Sequence, residues 1–250
     1  MSQKIMFDLD DTLVYCNKYF NFILDRFADE MMDRFGTAGI SRADIAAKQT
    51  EIDIAGVQIL GFKSEHFPQS FIDTYRYFQQ LTGRAPSPLD EEKLWKLGNS
   101  VYELQVEPYP MMEETLESLA GNGHELHLYT GGDVLIQYKK IESMRLERYF
   151  GDRIYVRQHK NTEALEQILT AGAFDRANTW MIGNSVRTDV LPAVRCGINA
   201  VYMKQEAEWT YNVLPIDAEP SAALLTLTAL PQVPPAIHDY LHGIAMKESG

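Results

Sequence analysis

The stretch IMFDLDDTL, residues 5–13, decides how this chain folds. Its apolar start, residues 5–7, predicts a short buried strand that ends in Asp8 and Asp10. Buried strands seldom end in ionised carboxylates, because these groups are costly to desolvate unless they are paired or bind a metal. Residues two apart in extended backbone point to the same side, so both carboxylates can face one small volume. That arrangement suits a nucleophilic carboxylate, an acid/base partner and a hard cation.

The composition predicts a folded protein with an acidic surface. The chain has 250 residues, 45% of them hydrophobic, which is enough for one large domain or a domain with an insertion. Its formal net charge of −12 disfavours binding to nucleic-acid phosphates and to anionic lipids. We therefore expect neither nucleic acid nor membrane as a partner. The oligomeric state is unknown from the sequence.

The cysteines and the N-terminal residues indicate a cytoplasmic protein. Cys16 and Cys196 are far apart in sequence and form no disulfide framework, which fits a reducing compartment. The first residues lead directly into a strand and lack the basic and apolar regions of a signal peptide. No apolar run is long enough to cross a bilayer.

The chain divides into a helical block and a block of alternating elements. Between residues 15 and 106, aromatic and aliphatic residues recur at helical spacing, which predicts amphipathic helices packed on a core. After residue 107, helix and strand signals alternate, as in parallel βαβ units with right-handed crossovers. We expect an α/β fold in which residues 1–14 and 107–250 form a Rossmann-like parallel sheet core, and residues 15–106 form an inserted α-helical cap.

The alternating block yields five further strands and five helices. The predicted strands are 125–129, 153–156, 179–182, 199–203 and 224–230, and the predicted helices are 111–120, 134–144, 162–171, 189–195 and 233–241. Ligands of open parallel sheets bind beyond the carboxyl ends of the strands. The helical block leaves the core at that edge, so it could lie over a site as a lid.

Polar residues follow several of these strands. Thr130 and Gly131 could hold phosphate oxygens or form an ordinary N-cap turn. Lys160 could reach an anion in the crevice or lie in solvent. Asp189 could bind a metal or simply begin a helix. Each alternative is reasonable for a single residue, but four such groups at one sheet edge favour a phosphate and metal site.

These residues, in this order and spacing, resemble the four motifs of the haloacid dehalogenase superfamily, most of whose members are magnesium-dependent phosphohydrolases. The matching positions are Asp8, Asp10 and Thr12 for the first motif, Thr130 for the second, Lys160 for the third and residues 183–189 for the fourth. The helical insertion resembles the cap of the C1 subclass. The resemblance covers the core, about residues 1–14 and 107–230.

One position departs from the family pattern. Asn184 stands where the fourth motif often has its first acid. The resemblance implies that Mg²⁺ is held by the Asp8 carboxylate, the Asp10 backbone carbonyl and Asp189. An amide oxygen can contact the cation or a bound water but adds no charge, so we expect Asn184 to contribute more weakly, behind the direct ligands.

The resemblance also implies a mechanism. Asp8 attacks phosphorus to give an aspartyl-phosphate, and Asp10 transfers protons to the leaving group and from water. Thr130, the Gly131 N–H and Lys160 neutralise the phosphate oxygens. Asp10 favours a phosphatase over a dehalogenase, which needs no acid at that position. A dehalogenase, a phosphomutase and a catalytically weak ligand-binding member remain alternatives, the last because of Asn184.

The substrate class follows only from family analogy and the predicted lid. A covering cap suggests a small phosphorylated metabolite, such as a sugar phosphate, phosphoglycolate or a nucleoside monophosphate. In capped relatives the cap and the loop after the first motif set specificity. Here those positions are Tyr15, Asn17 and Lys18, together with cap side chains.

Overall fold

Six parallel strands form one sheet in the computed structural model, which describes residues 2–248, with side chains through residue 243. The strands are β1 (Lys4–Phe7), β2 (Glu125–Gly131), β3 (Ile154–Arg157), β4 (Thr179–Gly183), β5 (Asn199–Met203) and β6 (Leu224–Leu227). Their spatial order is β3-β2-β1-β4-β5-β6. Residues 1, 249 and 250 of the predicted core unit lie outside the described residues.

Strand β1 lies inside the sheet and pairs with β2 on one side and β4 on the other. Ile5 is opposite Leu126 and Trp180, and all three side chains are buried. The chain runs outward from β1 to β3 and then returns to β4, so the strand order reverses between β1 and β4. Ligands of such sheets bind at this reversal. The predicted α/β fold with a parallel sheet is confirmed.

Six helices flank the sheet. They are α5 (Met112–Gly121), α6 (Val134–Ser143), α7 (Glu147–Phe150), α8 (Thr162–Ala171), α9 (Leu191–Arg195) and α10 (Val233–Glu248). The last helix is longer than the predicted 233–241, and β6 ends earlier than the predicted 230. Leu230–Gln232 form a 3-10 turn instead, because Pro231 has no N–H to extend the strand pairing.

The helix predicted at 189–195 begins differently. A π-helical turn, Val186–Val190, precedes α9. The backbone N–H groups of Asp189 and Val190 both bind the carbonyl oxygen of Ser185, at 3.0 and 3.1 Å, which widens the turn. Such turns are rare and are found mostly at functional sites.

Four helices lie between β1 and α5, and we refer to them and their connecting loops as the cap. They are α1 (Asn17–Phe35), α2 (Arg42–Leu60), α3 (His66–Thr82) and α4 (Pro88–Asn99). Ser41 and Ser87 each accept a backbone N–H at the start of α2 and α4, which is why those helices begin there. No helix within residues 2–248 is long and apolar enough to cross a membrane.

These four helices have their own aromatic core, separate from the one that packs on the sheet. Phe27 of α1 stacks on Phe71 of α3, with ring centroids 4.0 Å apart. The apolar stripes predicted at residues 15–106 form this core. Phe20, Leu24 and Phe67 differ, because they also line a cavity between the helices and the sheet.

Two backbone hydrogen bonds hold together the segments that connect the helices to the sheet. Tyr15 donates its N–H to Glu107 at 2.9 Å, and Tyr109 donates to Leu13 at 2.8 Å. A third connection joins the loop after α2 to the core, where Phe62 donates its N–H to the Gln158 carbonyl at 2.8 Å. The helices therefore lie over the carboxyl edge of the sheet.

The aromatic core of the cap gives a stability prediction. Phe71→Ala should lower the free energy of unfolding by about 3–5 kcal/mol, because it removes a fully buried ring and leaves a cavity. Phe22→Ala is the matched control, since Phe22 is 52% exposed on α1 and its loss should cost less than about 0.5 kcal/mol. Urea unfolding measures both, and equal values would contradict the assignment of this core.

Candidate active site

The strand ends bring four of the predicted side chains to one edge. Asp8 follows β1, Thr130 lies near the end of β2, Lys160 follows β3, and Asp189 follows β4. All four are buried. Parallel strands place their carboxyl ends side by side, so residues from distant parts of the chain meet here.

Lys160 contacts two carboxylates at once. Its Nζ lies 2.5 Å from Asp8 Oδ1 and 2.5 Å from Asp189 Oδ1, and only 2% of the lysine side chain is exposed. Burial alone favours the neutral amine, but Asp189 and Asp8 raise the pKa of Lys160 above its ordinary value. Lys160 is therefore a buried cation held between two anions.

Asp8 is positioned by the backbone and by a hydroxyl. Its N–H donates to the Ile182 carbonyl at 2.9 Å, which continues the pairing of β1 with β4. Thr12 Oγ1 donates to Asp8 Oδ2 at 3.2 Å. Burial raises the pKa of Asp8 to about 7, because lost hydration outweighs the attraction of Lys160. Added positive charge beside Asp8 would favour its ionised form.

Asp189 sits in the π-helical turn and is 1% exposed. Its Oδ2 accepts the Ser185 N–H at 2.9 Å. Its Oδ1 has no hydrogen-bond donor of suitable geometry, so its contact with Lys160 is electrostatic. A Cβ at Gly183 would lie 2.2 Å from Asp189 Oδ2, so only glycine fits there. The Ser185 N–H, Gly183 and Lys160 together fix the Asp189 carboxylate at the edge of the sheet.

The donor chemistry of this edge fits a hard cation such as Mg²⁺. Asp8 and Asp189 offer carboxylate oxygens, and Asn184, 3% exposed, lies beside them with its Oδ1 3.5 Å from Thr12 Oγ1. Oxygen ligands are the ones Mg²⁺ and Ca²⁺ prefer. Within the described residues, no three His, Cys, Asp or Glu side chains converge on one point, so backbone or amide oxygens would have to complete the ligand set.

Asp10 is held by two residues that sequence reasoning missed. Lys140 Nζ lies 2.7 and 2.9 Å from the two Asp10 oxygens, and Gln137 Nε2 donates to Asp10 Oδ2 at 2.9 Å. Burial favours neutral Lys140, but Asp10 raises the pKa of its ammonium. Both residues lie on α6, three positions apart and so on one face. That spacing was a visible signal, but a helix sequence alone does not show which face meets a site.

Gln137 also contacts the carboxyl end of β2. Its Nε2 lies 2.8 Å from Thr130 Oγ1 and 2.6 Å from the Gly131 carbonyl, and the side chain is 1% exposed. Thr130 Oγ1 therefore accepts from Gln137, and its hydroxyl hydrogen has only a long contact, 3.5 Å, with the Gly131 carbonyl. Phe62 of the cap packs against Gly131 from the other side.

A cavity of about 240 Å³ separates this edge from the cap. Its floor includes Asp8, Asp10, Gly131, Lys140, Lys160 and Asn184, and its other wall includes Phe20, Leu24, Val57, Phe62 and Phe67. Clefts for drug-sized ligands span about 300–1,000 Å³. This cavity suits a small ligand.

The loop after the first motif is divided between the cavity and the surface. Asn17 lines the cavity, but Tyr15 stacks on Tyr109 with centroids 4.0 Å apart, and Lys18 pairs with Glu107 at 2.6 Å. Tyr15 and Lys18 are not among the cavity-lining residues. Cys16 lines the cavity, and burial raises the pKa of its thiol well above the ordinary value. A thiolate nucleophile is therefore disfavoured there.

The comparison with protein families agrees with this geometry. The family model for haloacid dehalogenase-like hydrolases matches residues 5–197, which is more than half of the chain. The chain belongs to the haloacid dehalogenase-like hydrolases. The predicted superfamily is therefore confirmed.

Individual relatives of this hydrolase include both phosphatases and dehalogenases. It is 22% identical to the glyceraldehyde 3-phosphate phosphatase of Methanothermobacter thermautotrophicus over 216 residues, 82% of this chain and 87% of the relative. A haloacid dehalogenase-like family hydrolase from Xanthomonas campestris has a TM-score of 0.76 at 23% identity, covering 95% of this chain and 91% of its own. The 2-haloacid dehalogenase of Pseudomonas syringae has a TM-score of 0.56 at 17% identity, covering 96% and 100%. The fold alone therefore does not choose between the two reactions.

The charges around Lys160 give a prediction for this hydrolase. Lys160→Met should lower the free energy of unfolding by about 3–5 kcal/mol at neutral pH, because two buried carboxylates lose their cation. Lys96→Met is the control, since its pair with Glu92 is 73% exposed on the lysine side and should contribute less than about 0.5 kcal/mol.

The pH dependence of the same variant separates charge from packing. Burial raises the pKa of Asp8 above its unfolded value, so the folded state takes up a proton as the pH falls. Loss of the Lys160 charge would raise the pKa of Asp8 further, so the variant takes up this proton at a higher pH than the wild type, and its deficit should shrink as the pH falls from about 8 to about 6 in chemical unfolding. A deficit that stays constant over this range would indicate lost packing instead of unpaired charge.

Proposed function

We propose that this hydrolase is a Mg²⁺-dependent phosphatase that cleaves a small phosphorylated metabolite through an aspartyl-phosphate on Asp8. One observation carries the proposal: the Asp10 carboxylate shares the cavity with Asp8 and is fixed there by Lys140 and Gln137. A phosphatase needs a second carboxylate to move protons at the leaving oxygen and at water. The distant phosphatase relative supports the same reaction.

The residues that would hold the cation are Asp8 and Asp189 through their carboxylates, Asp10 through its backbone carbonyl, and Asn184 as a weaker contributor. Mg²⁺ bound there would supply positive charge that offsets the repulsion between Asp8 and the phosphate. Asp189 supports this assignment, because its carboxylate is buried at the same edge as Asp8 and its Oδ1 has no polar contact other than that with the Lys160 ammonium among the described residues.

The chemical steps are assigned to this chain's own groups. An Asp8 oxygen attacks phosphorus in line, and the bond to the leaving oxygen breaks with its electron pair going to that oxygen. Asp10 gives the leaving oxygen a proton. Asp10 then takes a proton from water as the water attacks the aspartyl-phosphate, which releases phosphate and restores Asp8.

Three groups would hold the phosphate oxygens during both steps. The Thr130 hydroxyl would turn from its long contact with the Gly131 carbonyl, 3.5 Å, to donate to the phosphate while its oxygen accepts from Gln137. The Gly131 N–H and the Lys160 ammonium complete the set, and Lys160 also keeps the attacking carboxylate in place. Groups fixed before the reaction stabilise developing charge without reorganising.

The second candidate is carbon–halogen cleavage, which structural likeness to a dehalogenase keeps open. Attack on carbon expels halide and needs no acid beside the nucleophile. The contacts of Asp10 with Lys140 and Gln137 would then serve no step, so the phosphatase is favoured. The acidic composition and the cavity's size favour a small metabolite over nucleic acid or a membrane surface.

The decisive experiment measures phosphate release from p-nitrophenyl phosphate with and without Mg²⁺. Asp8→Asn should lower kcat by at least about 10³-fold, because the amide is no nucleophile. Asp33→Asn, an exposed change in the cap, is the control and should leave kcat unchanged. Acid quench and peptide mass spectrometry should find a phosphoryl group on Asp8. Normal hydrolysis by Asp8→Asn, or release of chloride from a haloacid instead of phosphate, would overturn the proposal.

Gln137 gives a second prediction for this reaction. Gln137→Leu removes the donor to Asp10 and Thr130 and should lower kcat by about 10- to 100-fold, with a smaller change in KM. Gln137→Glu places a like charge beside Asp10 and should lower kcat further. Gln167→Leu, at an exposed position of α8, is the control. Steady-state kinetics with one substrate compares all three, and an unchanged kcat in Gln137→Leu would show that Asp10 is positioned without it.

A further inference from the structure

The cap places one carboxylate in the wall of the cavity that faces the catalytic floor. Asp53 belongs to α2, is 8% exposed and lines the cavity with Val57, which is one turn further along the same helix face. Its other neighbours in this wall are mainly apolar, among them Leu24 and Phe67. A carboxylate in such surroundings is costly unless it has a partner.

The protein provides Asp53 with only a weak partner. Among the described residues, no N–H or O–H group donates a hydrogen bond to the Asp53 carboxylate. The donor group beside the carboxylate is the imidazole of His66, whose Nε2 lies 3.5 Å from Asp53 Oδ1. Burial raises the pKa of Asp53 to about 6, with His66 opposing. The carboxylate is therefore buried, mostly ionised at neutral pH and short of donors.

His66 is fixed in place by the same helix. Its Nε2 lies 2.9 Å from the Asp53 backbone carbonyl, so this nitrogen carries the hydrogen and donates it there. A Cβ at position 56 would lie 1.8 Å from the imidazole ring, so Gly56 makes room for it against α2. The imidazole is thus held by the Asp53 backbone, with its Nε2 hydrogen directed at the carbonyl oxygen and not at the carboxylate.

The cations around the cavity are mostly engaged elsewhere. Lys160 is paired with Asp8 and Asp189, and Lys140 is paired with Asp10. Lys63 also lines the cavity but is exposed. A leaving group with a second anion would therefore meet a carboxylate in the cap wall, whereas one with a hydrogen-bond donor would satisfy it.

We propose that Asp53 binds a hydrogen-bond donor on the leaving group, so that the substrate is the phosphate monoester of a polyol or an amino alcohol. This proposal rests on the phosphatase function and names its substrate class. A hydroxyl and an ammonium share the chemistry that Asp53 requires, and a carboxylate lacks it. Phosphoglycolate and other acid phosphates are therefore disfavoured.

The first test compares phosphate monoesters of equal chain length whose leaving alcohol ends in hydroxyl, ammonium, methyl or carboxylate. Esters with three-carbon and with four-carbon chains are both tested, because they place the terminal group at different distances from the phosphate. The wild-type kcat/KM should be at least about tenfold higher for the hydroxyl or ammonium ester than for the methyl and carboxylate esters. The ratio of kcat/KM between the ammonium ester and the hydroxyl ester then shows which donor the site prefers. A preference for the carboxylate ester that Lys63→Ala abolishes would overturn the proposal.

Variants then assign the preference to Asp53. Asp53→Leu should remove the advantage of both donor esters over the methyl ester. Asp53→Asn keeps an acceptor oxygen but loses the charge, so it should retain part of the hydroxyl preference and lose the ammonium preference. Glu51→Gln is the matched control, because Glu51 lies on the same helix with its side chain 67% exposed. Unchanged ratios in both Asp53 variants would refute the role.

A binding measurement keeps this inference separate from the proposed chemistry. Calorimetric titration of Asp8→Asn with the same esters and Mg²⁺ reports recognition without turnover. Donor-selective binding by Asp8→Asn, together with a wild-type protein that releases no phosphate from any of these esters, would refute the phosphatase and leave the role of Asp53 standing. Phosphatase activity with no donor preference, in binding or in kcat/KM, would refute only the role of Asp53.

Discussion

The contact of Lys160 with Asp8 and Asp189 is the interaction on which the rest of the site depends. Two buried carboxylates would repel each other and lose hydration, and the buried ammonium between them offsets both costs. The three residues come from the ends of β1, β3 and β4, and β3 is at the edge of the sheet. The three side chains therefore meet only when β3, β2, β1 and β4 have their native order in the sheet.

The cap contributes to this arrangement beyond covering it. Phe62 packs against Gly131 at the end of β2, and its N–H donates to the carbonyl oxygen of Gln158, two residues before Lys160. The Gln158 side chain in turn donates to the Leu60 carbonyl at 2.6 Å. The end of α2 is thus bonded to the segment that carries the central cation. Asp53 lies on the same helix, so the cavity wall that contains Asp53 is bonded to the segment that carries Lys160.

The sequence predicted the parts of the site that depend on parallel strands. Apolar runs followed by Asp8, Thr130, Lys160 and Asp189 were enough, because parallel strands bring their carboxyl ends to one edge whatever their order. The α/β class and the family are confirmed, and the strand order was not foreseen. The residues on helices were missed for a physical reason. Which face of α6 or α2 meets a cavity depends on packing between elements, and Gln137 or Asp53 looks like any polar helix residue in the sequence.

Helical spacing does not distinguish the apolar residues that line the cavity from those that only pack in the cap core. Phe20, Leu24 and Phe67 recur at the period of a buried helix face, and most residues of that pattern do pack in the cap core. A residue at the boundary of such a face can serve the core and a cavity together. Helical periodicity shows only that a side chain is shielded from solvent. Side chains that line a cavity are shielded much as core side chains are, so packing in the core and lining the cavity give the same sequence pattern.

The charges on the cavity floor argue for a divalent cation independently of any relative. If the carboxylates of Asp8, Asp10 and Asp189 are all ionised, they exceed the ammonium groups of Lys140 and Lys160 by one negative charge. A phosphate dianion entering this floor adds two more. In a site sheltered from water such an excess is strongly unfavourable. A cation with two positive charges would return the balance to its value before the phosphate entered.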